Sequence, residues 1–149
     1  DGDGDMDAVG WEKDCWNPPS STANCGYRVQ YWTNNGDGSV SPGFFEQITA
    51  LNSPSPSMAI GRLGVDDGKD DVVFAYGTGI RLYESTPTGI IASGQTLGAT
   101  IQAVATGWFN NDNEGDIVVL SGGYLTAYRH NPFTIVHSER DCTSFGKII

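Results

Sequence analysis

A chain of 149 residues with 18 acidic and 8 basic side chains carries a formal net charge of −10, which argues against nucleic acid and anionic membranes as partners, since both would repel it. Its 20 Gly and 7 Pro, with no long stretch of helical apolar spacing, mark an all-β composition. No apolar run reaches the length of a bilayer-spanning helix, and nothing at the start resembles a cleavable signal peptide.

In chain order, the first element is a row of alternating carboxylates, Asp1-Gly2-Asp3-Gly4-Asp5-Met6-Asp7, which leads into the strand-like Ala8-Val9-Gly10-Trp11. Four like charges on alternate residues repel one another, and a hard cation with oxygen ligands offsets that repulsion. The row therefore reads as a calcium loop with Asp1, Asp3, Asp5 and Asp7 as ligands. An EF-hand fits poorly: Met6 stands where its sixth position needs glycine, and a strand rather than a helix follows.

Cys15 and Cys25 bracket Trp16-Asn17-Pro18-Pro19-Ser20-Ser21-Thr22-Ala23-Asn24, a run of turn formers between two strand-like segments. A Cys15–Cys25 disulfide would order it, contributing about 2–3 kcal/mol by loop closure; two reduced, buried thiols are the alternative. Cys142 is left over and implies a partner elsewhere in the polypeptide or in a neighbouring subunit. Tyr27-Arg28-Val29-Gln30-Tyr31-Trp32 alternates as a strand, and Asn34-Asn35-Gly36-Asp37-Gly38 is a turn. Strands are then expected around residues 44–51 and 58–61, the latter closing the first unit. The stretch Asn52-Ser53-Pro54-Ser55-Pro56-Ser57 leaves O-glycosylation open.

The acidic frame returns at Val65-Asp66-Asp67-Gly68-Lys69-Asp70-Asp71, before Val72-Val73-Phe74. Here Val65 and Lys69 replace two oxygen ligands, so no calcium is expected. Strands are predicted over 71–76, 80–84, 89–93 and 100–107, separated by Gly-, Pro- and Thr-containing turns. A third copy, Asn110-Asn111-Asp112-Asn113-Glu114-Gly115-Asp116 before Ile117-Val118-Val119-Leu120, keeps oxygen at Asn110, Asp112, Glu114 and Asp116. These four are candidate calcium ligands, completed by backbone carbonyls and water to the 6–8 oxygens calcium takes. Strands over 117–120, 124–129 and 133–137 follow, after which the chain stops before a full fourth.

Aligned on Asp7, Asp71 and Asp116, the chain divides into units of about 1–62, 63–107 and 108–149 that continue beyond both ends. Each is a loop followed by short antiparallel strands, and four strands per repeat of about 45 residues is the plan of a β-propeller blade. The expected architecture is thus two complete blades and a partial one, part of a larger repeat protein.

These loop–strand junctions resemble the FG-GAP and VCBS repeat family. The resemblance implies an integrin-like β-propeller whose calcium loop, Asp-x-Asp/Asn-x-Asp-Gly-x-x-Asp, precedes an apolar strand. Asp1, Asp3, Asp5 and Asp7 match the later part of that loop, with the family's first ligand falling two residues before Asp1. In the third copy Trp108 occupies the first-ligand slot. The turn from Tyr31 to Gly38 is similar to the family's hairpin between its second and third strands.

Catalytic constellations are thin. His130 and His137, the two histidines, have no accompanying nucleophile, base and orienting acid, and the serines lie in turns without a nucleophile-elbow context. Trp108, Tyr76 and Tyr83 are expected in the core, whereas Trp16 and Trp32 are expected to be exposed and are candidate ligand-binding residues. The reading is a non-catalytic, extracellular or cell-surface calcium-binding module for adhesion or for scaffold or filament assembly. Its partners would be neighbouring blades or subunits of the same protein. A lectin-like propeller that binds a glycan or a cell-surface protein, or an accessory domain of a secreted enzyme, are the alternatives.

Overall fold

Short runs rich in β-branched and aromatic residues, punctuated by Gly, Asn and Asp, favour strands joined by tight turns. The computed structural model describes residues 7–16, 24–48, 56–65, 68–86, 89–97, 100–110, 112, 114–129 and 134–140. Among them the chain is all-β, with three antiparallel sheets and no helix. It forms two compact units, residues 1–53 and 54–149.

In the first unit, β1 (Ala8–Trp16), β2 (Asn24–Asn34) and β3 (Val40–Ile48) form an antiparallel meander. Cys15 lies opposite Cys25 in the register, and the two are joined by a disulfide with Cα atoms 4.1 Å apart. Tyr27, Val29 and Ile48 are buried on one face, and Trp11 meets Tyr27 edge-on at 5.8 Å between centroids. The β2–β3 turn needs left-handed backbone at Gly36 (φ 73°) and Gly38 (φ 86°). It is closed by the Asp37 carboxylate, which accepts the Ser39 N–H at 2.9 Å and the Ser39 hydroxyl at 2.6 Å.

In the second unit, β4 (Ser57–Gly61), β6 (Asp71–Tyr76), β7 (Gly79–Thr86) and β8 (Gly89–Thr96) form one four-stranded meander. A second meander runs through β9 (Ile101–Gly107), β10 (Glu114–Ser121), β11 (Tyr124–Arg129) and β12 (Thr134–Arg140). The two-residue β5 (Gly64–Val65) pairs with the start of β10.

These pairings correct two strand assignments. Residues 58–61, expected to close the first unit, pair with β6, Met58 opposite Phe74 and Ile60 opposite Val72. Residues 100–107, expected as the fourth strand of the second unit, pair with β10. The acidic loop connects two antiparallel neighbours, so the strand before it belongs to the same sheet as the strand after it. The last sheet consequently has five strands, β9 to β12 with the short β5 on β10, rather than three.

The core of this unit lies where the two meanders face each other. Val73, Ala75, Ile80 and Leu82 from one pack with Ile101, Val104, Ile117 and Val119 from the other, each fully buried Val or Ile contributing roughly 1.5–3 kcal/mol. Side chain and backbone add cross-ties, with the Thr106 hydroxyl donating to Ile60 O at 2.9 Å and Val104 N–H to Ser57 Oγ at 3.2 Å. Both β6 and β10 are buried on two faces, which is why Val72-Val73-Phe74-Ala75 and Ile117-Val118-Val119-Leu120 run apolar without alternation.

Candidate functional site

The last aspartate of each acidic loop occupies one register position. Asp7, Asp71 and Asp116 immediately precede Ala8, Val72 and Ile117, which face Trp32, Tyr83 and Tyr128 on the next strand. Two residues beyond that aromatic, the chain turns back onto the carboxylate. Asn34 N–H donates to Asp7 Oδ1 at 3.0 Å, and Ser85 N–H donates to Asp71 Oδ1 at 2.8 Å. The third counterpart of these donors, His130, lies outside the described residues.

The second oxygen of each carboxylate is also engaged. Leu63 N–H reaches Asp71 Oδ2 at 3.1 Å, Phe109 N–H reaches Asp116 Oδ2 at 3.0 Å, and the Tyr31 hydroxyl donates to Asp7 Oδ2. Asp71 is 6% exposed and Asp116 is fully buried. Such charges are tolerated in the interior because backbone donors satisfy them. In the second and third copies this aspartate clamps the beginning of its own loop, and in the first two it also fixes the end of the neighbouring strand.

The third loop is a chain of local hydrogen bonds. Asn110 Oδ1 accepts the Asp112 N–H at 2.8 Å, Asp112 Oδ1 accepts the Glu114 N–H at 3.1 Å, and Asn110 Nδ2 donates to Asp116 Oδ1 at 3.3 Å. On β11, Arg129 donates to Asp112 Oδ2 at 2.7 Å. Desolvation pushes the Asp112 carboxyl up, but the Glu114 N–H, the Arg129 guanidinium and Asn110 outweigh it and hold it below the ordinary aspartate value. The arrangement thus links the side chains of Asn110, Asp112 and Asp116, whereas Glu114 takes part through its backbone N–H, and it sets the Arg129 cation against Asp112. Among the described residues, no three His, Cys, Asp or Glu side chains converge as a metal-holding group. Asp1, Asp3 and Asp5, the remaining candidates of the first loop, lie outside the described residues, as does Cys142.

Trp32 lines a cavity of about 300 Å³ on the first unit, together with Gly10, Trp11, Glu12, Arg28 and Gln30. Its ring reaches across to the neighbouring strand, where a Cβ added at Gly10 would stand 3.4 Å from Trp32 Cζ3. Trp32 is half-buried rather than open, and the side chain of Trp16 lies outside the described set. Tyr83 is in the core at 3% exposed, and Tyr76 is half-buried beside Phe74, with ring centroids 5.9 Å apart. Trp108 corrects the expectation of a core position. It is 66% exposed, because β9 ends at Gly107 and Trp108 follows the last paired residue.

Five participants, in two places, escaped sequence reasoning. Arg129 stands 17 residues from Asp112, and only the β10–β11 register brings it to the loop. Gly10, Glu12, Arg28 and Gln30 share a cavity with Trp32, for which the alternation of residues 28, 30 and 32 was the available signal. Among the described residues, no helix is long and apolar enough to cross a membrane. No family model matches the chain, and comparison with curated proteins and with solved structures likewise gives no match.

Proposed function

We propose that this chain is a calcium-stabilised, non-catalytic repeat module of the FG-GAP/VCBS kind. Its sheets serve as blades of a propeller-like stack in adhesion or in the construction of a cell-surface assembly. The observation that carries this reading is recurrence: in each of three antiparallel sheets an aspartate at the same register position stands between an acidic stretch of sequence and the strand that follows it. A disulfide within the first unit accords with an oxidising, extracellular setting.

In this reading the ion belongs chiefly to the first loop, where Asp1, Asp3 and Asp5 supply the carboxylates. Calcium would neutralise their mutual repulsion, while Asp7 fixes the loop exit through Tyr31 and Asn34. The second loop retains the anchoring aspartate and has Lys69 within an otherwise acidic frame. Calorimetric titration with calcium, paired with sedimentation velocity in calcium and in EGTA, tests the proposal. Saturable calcium uptake with a chelator-sensitive shape or assembly state is expected; a protein that takes up no calcium and sediments identically in both buffers would refute it.

A further inference from the structure

On β1 and β2 the register places Ala8 opposite Trp32, Gly10 opposite Gln30 and Glu12 opposite Arg28. Paired residues of antiparallel strands share a face, so Trp32, Gln30, Arg28 and Glu12 stand side by side, with Gly10 providing bare backbone among them. The missing Cβ at Gly10 lets the indole of Trp32 reach towards β1, and no ring partner covers the indole among the described residues. The result is an aromatic surface beside a cavity of about 300 Å³.

The polar groups beside it are held in place. Gln30 Nε2 donates to Tyr31 O at 3.1 Å and to Phe44 O at 3.3 Å, which leaves its Oε1 as an acceptor with no partner among the described residues. Arg28 is fixed by Asp14 at 3.0 Å, by Glu12 at 3.6 Å and by the Phe45 ring, whose centroid is 5.8 Å from Cζ. Its Nε has no partner among the described residues. An indole surface next to ordered donors and acceptors matches a ligand with an apolar C–H face and a rim of hydroxyls. Charge narrows the class. One guanidinium set against two carboxylates leaves this face at −1, on a chain of −10, so phosphorylated, sulfated and uronic ligands are repelled.

We infer that this face of β1 and β2 binds a neutral saccharide, stacked on Trp32 and hydrogen-bonded through Arg28, Glu12 and Gln30. The inference gives the glycan-binding alternative a location and a ligand class, and it does not depend on calcium in the loops.

The test is titration of the full chain with cellohexaose, laminarihexaose, mannohexaose and chitohexaose as neutral probes, and with hexagalacturonate as the anionic arm. Tryptophan fluorescence and calorimetry provide the readouts, in calcium and again in EGTA. At least one neutral probe is expected to bind saturably in both buffers and more tightly than hexagalacturonate. Trp32→Ala should weaken that binding about tenfold or more, and Glu12→Gln, an exposed change of nearly constant shape, should weaken it several-fold. Trp108→Ala, on the other unit, should leave it unchanged. Absence of binding to every neutral probe by folded protein, preference for hexagalacturonate, or unaltered affinity in Glu12→Gln together with a folded Trp32→Ala would overturn the inference. Loss of calcium uptake with saccharide binding intact would count against the calcium reading alone.

Discussion

Asp71 places a buried carboxylate between two strand ends, and both of its oxygens accept backbone N–H groups, from Leu63 at 3.1 Å and Ser85 at 2.8 Å. A buried donor left without a partner costs about 1–3 kcal/mol, so Asp71→Ala is expected to lose on the order of 3 kcal/mol in urea denaturation. Asp71→Asn retains one acceptor oxygen and should lose clearly less. The carboxylate pattern was legible in the sequence, but its division of labour was not, because a ligand and a clamp both require an oxygen at the loop exit. Asp37 offers a second test at this scale. The Ser39 hydroxyl and then the Ser39 N–H hold its carboxyl below the ordinary aspartate value. A depressed folded-state pKa stabilises the turn above the unfolded value, and that contribution disappears as pH falls through the folded value. Carboxyl NMR should therefore show Asp37 titrating below a free aspartate, with Ser39→Ala moving its midpoint upward. The group is exposed, so the accompanying change in global stability should be small.

Strands and turns were largely legible because local chemistry specifies them. Residues 71–76 and 124–129 were predicted with the bounds observed for β6 and β11; β6 ends against a turn that contains the positive-φ Gly77, and β11 begins directly after one that contains the positive-φ Gly123. Pairing was less legible: nothing within residues 58–61 or 100–107 tells whether the strand closes one sheet or opens the next. That choice is made by contacts such as Met58 with Phe74 and Val104 with Val119, which are distant in sequence. Gly115 shows how tightly the choice is enforced. It lies opposite Gly64 in the β5–β10 pair, and an added Cβ would stand 1.6 Å from the Arg62 carbonyl oxygen. The obstacle is backbone, which cannot rotate away like a flexible side chain. Gly115→Ala is therefore expected to cost about 3 kcal/mol or more and to speed hydrogen exchange in β5 and at the start of β10. An equally protected Gly115→Ala protein would show that this strand crossing does not constrain the fold.

For the molecule as a whole, a net charge of −10 opposes compaction through self-repulsion, and the acidic loops concentrate part of that charge at strand entrances. The third loop already has a protein cation in Arg129, against Asp112, so the stabilising effect of calcium is expected to fall mainly on the first loop. An ion that binds only the folded state stabilises it by RT ln(1 + [L]/Kd), about 2.7 kcal/mol at one hundred times Kd. For a chain of this length each kcal/mol moves the melting temperature by roughly 2–4 °C, so saturating calcium should raise it by about 5–11 °C. Sodium chloride at matched ionic strength screens the same repulsion without coordinating and serves as the control, with a smaller rise expected. Magnesium demands a tighter octahedral shell and sheds water reluctantly, so it should also fall short of calcium. Combining Asp3→Asn with Asp5→Asn should remove most of the calcium-specific rise, whereas Asp112→Asn should leave most of it in place. If sodium chloride alone reproduces the full rise, the acidic loops respond to screening rather than to coordination, and the repeat is held by its carboxylate clamps and apolar core.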